Sequence, residues 1–454
     1  MLADTRSRQA WVIGQAACRA RRLRRPVLAS WTEPSSEEAI SFFARAAGTT
    51  HRALWLRPSS GEAVVGVGAA RTLTGTGHER FRQVDRAWRD LLAEAVMEDG
   101  LGQPYGGPVL LGGFSFDPLR AQGSGLWCGF PDARLVLPER MLVVSQGAAW
   151  LTRNVVVLPE DGCLRQEQPP EPERTPSPDG ADGMLSQAQW QSLVGAVARG
   201  IADGQLGVDK IVLARAQQVQ QPHAMDPQLA VRNLAQRYPG CTIFAITHAN
   251  ACFLGATPER LVALRNGTAS TLALAGSSPR GATPSDDQRL AEQLLHDPKE
   301  RAEHAIVVTA VREALAQVCS RVISDTQPTL KKLANVQHLL TSMRARVAPG
   351  TSILELVERL HPTPAVGGFP TQRALDLIRQ HEALDRGWYA GPIGWVNRDG
   401  EGEFVVAIRS ALLRGNSATL FAGCGIVADS DPATEFAESG WKLQPMLAAL
   451  GAGK

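Results

Sequence analysis

Two pairs of glutamates have the residue type and the spacing to hold a metal ion. Glu300 and Glu303 lie in the stretch DPKERAEHAIVV, and Glu435 and Glu438 lie in DSDPATEFAESGWK. Residues three apart share one face of a helix, so each pair would place two negative charges side by side. Four carboxylates on two facing helices would supply the oxygen ligands that Mg²⁺ prefers. For either pair taken alone, a solvated helix face is the competing interpretation, because the ExxE pattern is common.

The flanking sequence predicts the elements that must position these side chains. We expect a long helix over about 284–319, which carries the first pair, and a last helix, which carries the second pair. Ser186 is expected to cap another helix, and the following DKIVLARAQQVQ alternates as a strand that starts near Lys210. The runs Cys241–Thr247 and Ala251–Ala256, separated by HAN, predict a hairpin.

The order of the elements predicts the fold class. CTIFAIT, ACFLGA, RLVALR and STLALAG read as successive strands, and WYAGPIGWV, GEFVVAIRSALL and ATLFAGCGIV follow in meander spacing. Strands and helices do not alternate as they do in a doubly wound fold. We therefore predict an α+β fold that resembles an α/β/α sandwich, with helices packed outside a large, mostly antiparallel sheet.

Composition excludes several classes of partner. The chain has 454 residues and a net charge of +2, so no overall field favours nucleic acid or an anionic membrane. The sequence has no apolar run of membrane-spanning length. Its seven cysteines are scattered without a CxxC pair, which indicates reduced thiols and predicts a cytoplasmic protein. The arginine cluster at 18–26 is interpreted as a solvated helix face, with a transit peptide or a basic contact surface as the alternatives.

A proline-rich stretch, EQPPEPERTPSPDGADG, divides the chain. It offers almost nothing to bury, so we predict a linker over residues 166–184. An N-terminal α/β part, 1–165, precedes it, and a C-terminal part, 185–454, follows it. The N-terminal part holds no dense cluster of catalytic residue types, and we expect it to complete the sheet.

The C-terminal part resembles the chorismate-utilising enzymes, and within them the isochorismate synthases. The resemblance covers about residues 186–445, and the N-terminal part shows it less closely through VLLGGFSFDP and FPDARLVLPERMLVV. The matching stretches, in order, are VDKIVLAR, GATPERLV, LALAGSSPRG, KERAEHAIVV, VQHLLTSMRARV, LHPTPAVGGFP, RGWYAGPIGWV, GEFVVAIRSAL, LFAGCGIV and SDPATEFAESGWK.

The resemblance implies an acid and a base. An isochorismate synthase adds water at C2 of chorismate while the C4 hydroxyl leaves, which requires a base for water and an acid for hydroxide. Lys210 matches the base, and a buried lysine can have a pKa low enough for that role. Glu259 matches the acid, which needs an apolar environment that raises its pKa. Without the resemblance, a surface lysine and a surface glutamate paired with Arg260 would be the simpler interpretations.

The resemblance also implies a metal ion and a substrate pocket. Glu303 and Glu438 match direct Mg²⁺ ligands, and Glu300 and Glu435 match an outer pair that holds metal-bound water or shapes the ion's site. The cation would neutralise the ring carboxylate of chorismate. For the glycines a turn is the alternative interpretation, and for the histidine a satisfied core position. The implied substrate-binding residues are Gly276, Ser277, His338, Ala365, Ile408, Arg409, Gly423, Gly425 and Lys442.

Individual residues distinguish the members of the family. Lys210 disfavours anthranilate synthase, because the ammonia-using members lack this lysine. LAGSSPRG departs from the PxKGT stretch of aminodeoxychorismate synthases, so Arg280 has no nucleophilic role. Ala365 stands where aminating and pyruvate-releasing members usually carry threonine, which favours isochorismate synthase over salicylate synthase, the main alternative.

A third hypothesis is a non-catalytic relative that binds chorismate or a partner, which the complete set of catalytic residue types disfavours. The resemblance implies a monomer or weak dimer that needs no amidotransferase subunit. Whether the product would feed menaquinone, a siderophore or salicylate is left open.

Overall fold

The structure is a computed structural model, and its described residues are 2–98, 106–119, 125–160, 184–333 and 336–452. The predicted linker over residues 166–184 lies outside these ranges, apart from its last residue. Within the described ranges, no helix combines the length and the apolar character that a membrane span requires.

The helices begin at capping residues that the sequence provides. Ser186 accepts a hydrogen bond from the backbone N–H of Gln189, whose side chain accepts one in return, which confirms the predicted cap. Asp226, Asp297 and Asp431 each cap a helix whose first residue is proline. The helices of the described residues are α1 (Leu2–Leu23), α2 (Ala39–Arg45), α3 (Arg80–Leu92), α4 (Gln187–Ala202), α5 (Pro227–Arg237), α6 (Pro284–His296), α7 (Pro298–Ala316), α8 (Ile353–Leu360), α9 (Thr371–His381) and α10 (Pro432–Ala449).

The larger sheet combines strands from both parts of the chain. Its pairings in the described residues are antiparallel, except that β1 and β5 are parallel. In spatial order, the strands are β18 (Gly368–Phe369), β10 (Lys210–Gln220), β22 (Ser417–Ile426), β21 (Ser410–Arg414), β12 (Ala251–Thr257), β11 (Thr242–His248), β2 (His51–Arg57), β3 (Glu62–Val67), β8 (Arg140–Ser145), β9 (Ala148–Val157), β1 (Val27–Ser35) and β5 (Val96–Glu98). Strands β11 and β12 form the predicted hairpin, with Thr242 opposite Thr257.

The smaller sheet also draws on both parts of the chain and is antiparallel throughout its described residues. Its strands in spatial order are β15 (Cys319–Ser324), β17 (Val336–Val347), β14 (Thr268–Pro279), β13 (Arg260–Arg265), β20 (Gly402–Val406), β19 (Pro392–Asn397), β6 (Val109–Phe114), β7 (Ala133–Leu137) and β4 (Arg71–Gly75), and β16 (Thr329–Lys332) pairs with β17.

The two sheets pack against each other around one hydrophobic core. Trp55 of the larger sheet meets Trp395 of the smaller sheet edge to face, with ring centroids 6.2 Å apart. The other face of the larger sheet packs against α2, α5 and α10, and α7 and α8 pack on the smaller sheet. The predicted α+β class, with mostly antiparallel pairing and helices outside, is confirmed, although the strands form two sheets rather than one.

The predicted long helix over 284–319 is wrong, because the structure has two helices and a strand there. Helix α6 ends at His296, and α7 begins at Pro298. The carboxylate of Asp297 accepts a hydrogen bond from the backbone N–H of Glu300 at 3.0 Å and so caps α7. Proline lacks an N–H and restricts the residue before it, so the helix stops and restarts here. Cys319 begins β15 and belongs to no helix.

Candidate active site

A single cleft brings together the glutamates and the substrate-binding residues named from the sequence. Its volume is about 250 Å³, and its walls come from β14, β22, α7, α10 and neighbouring loops. Lys210 reaches the cleft through its contact with Glu303. The sequence-predicted residues that line it are Glu259, Gly276, Ser277, Glu300, Glu303, His338, Ala365, Ile408, Arg409, Gly423, Gly425, Glu435, Glu438 and Lys442.

Lys210 is buried at the start of β10. Its side chain is only 1% exposed, so the interpretation as a surface lysine is wrong. The amine Nζ donates a hydrogen bond to Glu303 Oε1 at 2.7 Å. A Cβ atom on Gly425 would lie 2.7 Å from Lys210 Cε and 3.1 Å from Glu303 Oε1. Gly425 therefore gives the lysine and the carboxylate the space they share.

Glu259 follows β12 and is 7% exposed, and its backbone is fixed on both sides. Its N–H donates to Thr257 Oγ1 at 3.2 Å, and its carbonyl accepts from the N–H of Val406 at 3.0 Å. Burial raises the pKa of Glu259 to about 7, although the charges of Lys210 and Arg409 oppose this shift. A carboxyl with this pKa is partly protonated near neutral pH and can donate a proton.

The outer glutamate of each helical pair has a pKa above that of a surface carboxylate. Burial, together with the charge of Glu303, raises the pKa of Glu300 to about 7. Burial and the charge of Glu438 raise the pKa of Glu435 to about 7. The charge of Glu438 on α10 also raises the pKa of Glu300 on α7, so the two pairs face each other across the cleft.

Three lysines partly neutralise these carboxylates. Burial would raise the pKa of Glu303, but the charge and hydrogen bond of Lys210, together with the charges of Lys442 and Lys299, outweigh burial and lower that pKa. Lys442 lies 2.5 Å from Glu438 and donates to the carbonyl of Gly423 at 2.9 Å. Lys299 lies 3.7 Å from Glu435.

The donor set suits a hard divalent cation. The four carboxylates lie on one cleft and repel one another, which a cation between them would offset. Cys424 lies beside two of these carboxylates. Its Sγ and one oxygen each of Glu435 and Glu438 lie within 4.8 Å of one another. Its thiol, however, donates to the backbone carbonyl of Glu435 at 3.2 Å. Carboxylate oxygen is therefore the main ligand type that the cleft presents, and these residues fit Mg²⁺.

Ser277, His338 and Arg409 form a chain of hydrogen bonds along the cleft. Arg409 Nη2 donates to His338 Nε2 at 3.4 Å, so Nδ1 carries the ring proton and faces Ser277 Oγ at 3.0 Å. Burial and the charge of Arg409 hold the pKa of His338 well below its usual value, so the ring is neutral. Arg409 is itself buried beside the cleft and could pair with a substrate carboxylate.

Arg280, for which the sequence predicts no nucleophilic role, forms its hydrogen bonds outside the cleft. Its guanidinium forms two hydrogen bonds with Asp287, at 2.5 and 3.0 Å. It also donates to the carbonyl of Leu333. The cleft-lining residues of the described chain include its neighbours Ser278 and Pro279 but not Arg280.

The model of a family described as chorismate binding enzyme matches residues 14–451. The chain belongs to this family. It is 42% identical over 399 residues to the salicylate biosynthesis isochorismate synthase of Pseudomonas aeruginosa, which covers 85% of this chain and 82% of that protein. It is 36% identical over 452 residues to isochorismate synthase MenF of Bacillus subtilis, which covers 95% of both.

A solved structure has the same fold as this chorismate binding enzyme. The menaquinone-specific isochorismate synthase MenF of Escherichia coli superposes with a TM-score of 0.75 over 94% of this chain and 95% of that chain. At 24% sequence identity, this likeness is evidence for the fold alone.

Sequence reasoning missed several residues that line the cleft of this chorismate binding enzyme: Lys299, Arg386, Tyr389 and Trp441. Tyr389 is buried and stacks on Phe421, with ring centroids 5.2 Å apart. Its hydroxyl would lie 3.1 Å from a Cβ atom on Gly423, so it closely approaches that strand. The only signal in the sequence was its place in the stretch RGWYAGPIGWV, which resembles the family as a whole.

Proposed function

We propose that this chorismate binding enzyme is an isochorismate synthase. The reaction adds water at C2 of chorismate, expels the C4 hydroxyl and leaves the elemental composition unchanged. The observation that carries the proposal is the convergence of a buried lysine, a carboxyl with a pKa of about 7 and four further carboxylates on one cleft. The similarity to isochorismate synthases over most of the chain supports the same reaction.

Lys210 acts as the base in this proposal. For this step Lys210 must be in its neutral form, whose Nζ lone pair removes a proton from water, and that water becomes the nucleophile at C2. The step creates a buried ammonium ion, and Glu303 Oε1 at 2.7 Å accepts a hydrogen bond from that ion. A charge-assisted hydrogen bond of this kind stabilises the developing positive charge in a site with little water.

Glu259 acts as the acid. Hydroxide is a poor leaving group, so the C4 oxygen must receive a proton as its bond to carbon breaks. Because burial raises its pKa to about 7, Glu259 holds that proton in a substantial fraction of molecules at neutral pH. The fixed backbone at Thr257 and Val406 limits where its carboxyl can lie.

We also propose that the cleft binds Mg²⁺: Glu303 and Glu438 would hold the ion, and Glu300 and Glu435 would act through water or shape its site. When bound, the ion would neutralise the ring carboxylate of chorismate and so help to orient the ring. Arg409, which lines the cleft, would pair with the other substrate carboxylate, and Gly276 and Gly423 would allow backbone groups to approach the substrate. Ala365 presents a methyl group to the cleft, so its position offers the substrate no hydroxyl group.

The test is product identification by chromatography after incubation of the purified chain with chorismate, with Mg²⁺ and with a chelator. We expect isochorismate with Mg²⁺, little turnover after chelation, and loss of at least about hundredfold in kcat for Lys210→Ala. Salicylate and pyruvate as products would instead support the salicylate synthase alternative. No turnover would support the non-catalytic relative. The expected cytoplasmic location, the monomeric or weakly dimeric state, the absence of an amidotransferase subunit and the choice of pathway stay predictions.

A further inference from the structure

A buried ion pair borders the cleft, and the proposed function assigns it no role. Glu382 and Arg386 have side chains that are 2% and 3% exposed. The guanidinium makes two parallel hydrogen bonds with the carboxylate, Nε to Oε1 at 2.6 Å and Nη2 to Oε2 at 2.7 Å. Arg386 lines the cleft and also lies over the ring of Phe116, 4.3 Å from its centroid. Two opposite charges are thus fixed in one geometry beside the substrate site.

The pair completes the edge of the strand that carries Lys210. Strand β22 pairs with β10 from Ile211 to Gln220, but β18 pairs only with Lys210 and Ile211. The N–H of Val212 still donates to the carbonyl of Gly367 at 2.9 Å, and beyond it Glu382 Oε2 accepts a hydrogen bond from the N–H of Ala214 at 2.8 Å. Arg386 Nη2 donates to the carbonyl of Val212 at 2.7 Å. Since buried backbone groups need partners, the two side chains replace a missing strand here.

The guanidinium of Arg386 also binds the loop that contains Ala365 and Val366. Arg386 Nη1 donates to the carbonyl of Val366 at 2.8 Å. Val366 and its neighbour Ala365 both line the cleft. One planar group therefore connects the backbone two residues beyond Lys210 with the backbone one residue beyond Ala365.

We propose that Arg386, oriented by Glu382, is a positioning residue that fixes Lys210 relative to the cleft wall at Ala365. The inference rests on the proposed function. The guanidinium donates along several fixed directions in one plane, which a lysine ammonium cannot reproduce. Misplacement of a reacting group by about 1 Å can cost about 100-fold in rate. Arg386 thus acts on the reaction through Lys210 rather than by touching the reacting atoms.

The test compares Arg386→Lys with a matched control, Arg379→Lys. Arg379 lies in α9 and makes the same kind of two-bond pair, with Asp117 at 2.6 and 3.0 Å, but is absent from the described lining of the cleft. With chorismate and Mg²⁺, Arg386→Lys is expected to lower kcat by about tenfold or more and to change KM by less than about threefold. Arg379→Lys is expected to keep kcat within about twofold of wild type.

A loss of folded protein would also lower kcat, so a double variant separates the two causes. If Arg386 acts through Lys210, Lys210→Ala with Arg386→Lys should turn over no more slowly than Lys210→Ala alone. If Arg386 serves only the fold, the double variant should lose the same further factor as Arg386→Lys loses from wild type. That result overturns the inference, as does a wild-type kcat for Arg386→Lys or an equal loss for Arg379→Lys.

Three further outcomes would each refute the proposed function or this inference: an inactive wild-type enzyme, an unaffected Arg386→Lys variant, and variants of the pair that do not fold. A wild-type enzyme that forms no isochorismate refutes the proposed function, and this inference with it, before any variant is compared. Wild-type activity with an unaffected Arg386→Lys refutes the inference alone. If Arg386→Lys does not fold, Glu382→Asp replaces it, because the shorter carboxylate keeps its charge but cannot reach both Arg386 and Ala214. If Glu382→Asp does not fold either, the pair belongs to the fold and the inference is overturned.

Discussion

Lys210 Nζ and Glu303 Oε1 are joined by a hydrogen bond of 2.7 Å between strand β10 and helix α7. The proposed base and a proposed metal ligand are therefore in direct contact, although 93 residues separate them in the sequence. Gly425 of β22 lies beside both side chains. Small changes at this one point should therefore affect the acid–base chemistry and the metal site together.

Gly425→Ala should reduce activity by about hundredfold without unfolding the protein. A methyl group at this position would lie 2.7 Å from Lys210 Cε, so the lysine must move away from its partner. The measurement is the kcat for isochorismate formation together with the melting temperature. Gly440→Ala is the control, because nothing lies within 4 Å of a Cβ atom there and alanine favours the α10 helix. Equal activity of the two variants would contradict the close packing at Gly425.

The pH dependence of kcat should report Glu259. The acid must be protonated, and its pKa is raised to about 7, so the active form predominates below that pH. We expect kcat to fall about tenfold per pH unit above the pKa of Glu259. Glu259→Gln should be much slower and should lose this alkaline limb. If the limb persists unchanged in Glu259→Gln, then another group is responsible for it.

The sequence predicted much of this site because its signals are local. Ser186 marks a helix start by its own chemistry, and the spacing of Glu300 and Glu303 places them on one face of a helix. The roles of Lys210 and Glu259 came from the resemblance, since neither residue type nor spacing distinguishes them from surface residues.

Other features depend on contacts between distant segments and could not be predicted. Glu382 and Arg386 are four residues apart, which suggests only an ordinary ion pair, until one edge of β10 is seen to have no paired strand beyond Ile211 in the described chain. The division of the strands into two sheets likewise depends on long-range pairing, such as that of β6 with β19. The break at Asp297 is a local signal, the same Asp-Pro pair that begins α5 at Asp226, but the predicted helix over 284–319 did not take it into account.

In the metal-free protein, Glu300 and Glu435 should contribute less stability as pH rises from about 5 to 8. The pKa values of Glu300 and Glu435 rise from 4.5 to about 7 on folding, so the folded state binds more protons in this window. Stability conferred by those protons is lost as pH rises through about 7. The lowered pKa values of the buried His51, His304, His338 and His361 act in the opposite direction, so the test compares wild type with Glu435→Gln. In chelator, the melting temperature of the variant relative to wild type should be higher at pH 8 than at pH 5.5.

Mg²⁺ and one substitution test the cause of that pH dependence. At pH 8 without metal, Glu435→Gln should melt roughly 2 °C above wild type, because it removes the repulsion with Glu438. Mg²⁺ should raise the melting temperature of wild type more than that of this variant. Glu313→Gln, at an exposed position of the same α7 helix that carries Glu300, is the control and should behave as wild type. A wild-type protein indifferent to Mg²⁺ would contradict the metal site.

The central claim is that the cleft activates water for attack on C2 of chorismate, and oxygen labelling tests it most directly. Initial-rate turnover with Mg²⁺ in H₂¹⁸O, followed by mass spectrometry of the isochorismate, shows where its new hydroxyl originates. The account predicts one ¹⁸O atom, at C2, in nearly every product molecule. Isochorismate formed without the label would mean that the hydroxyl migrates within the substrate, and the proposed roles of Lys210 and Glu259 would be wrong.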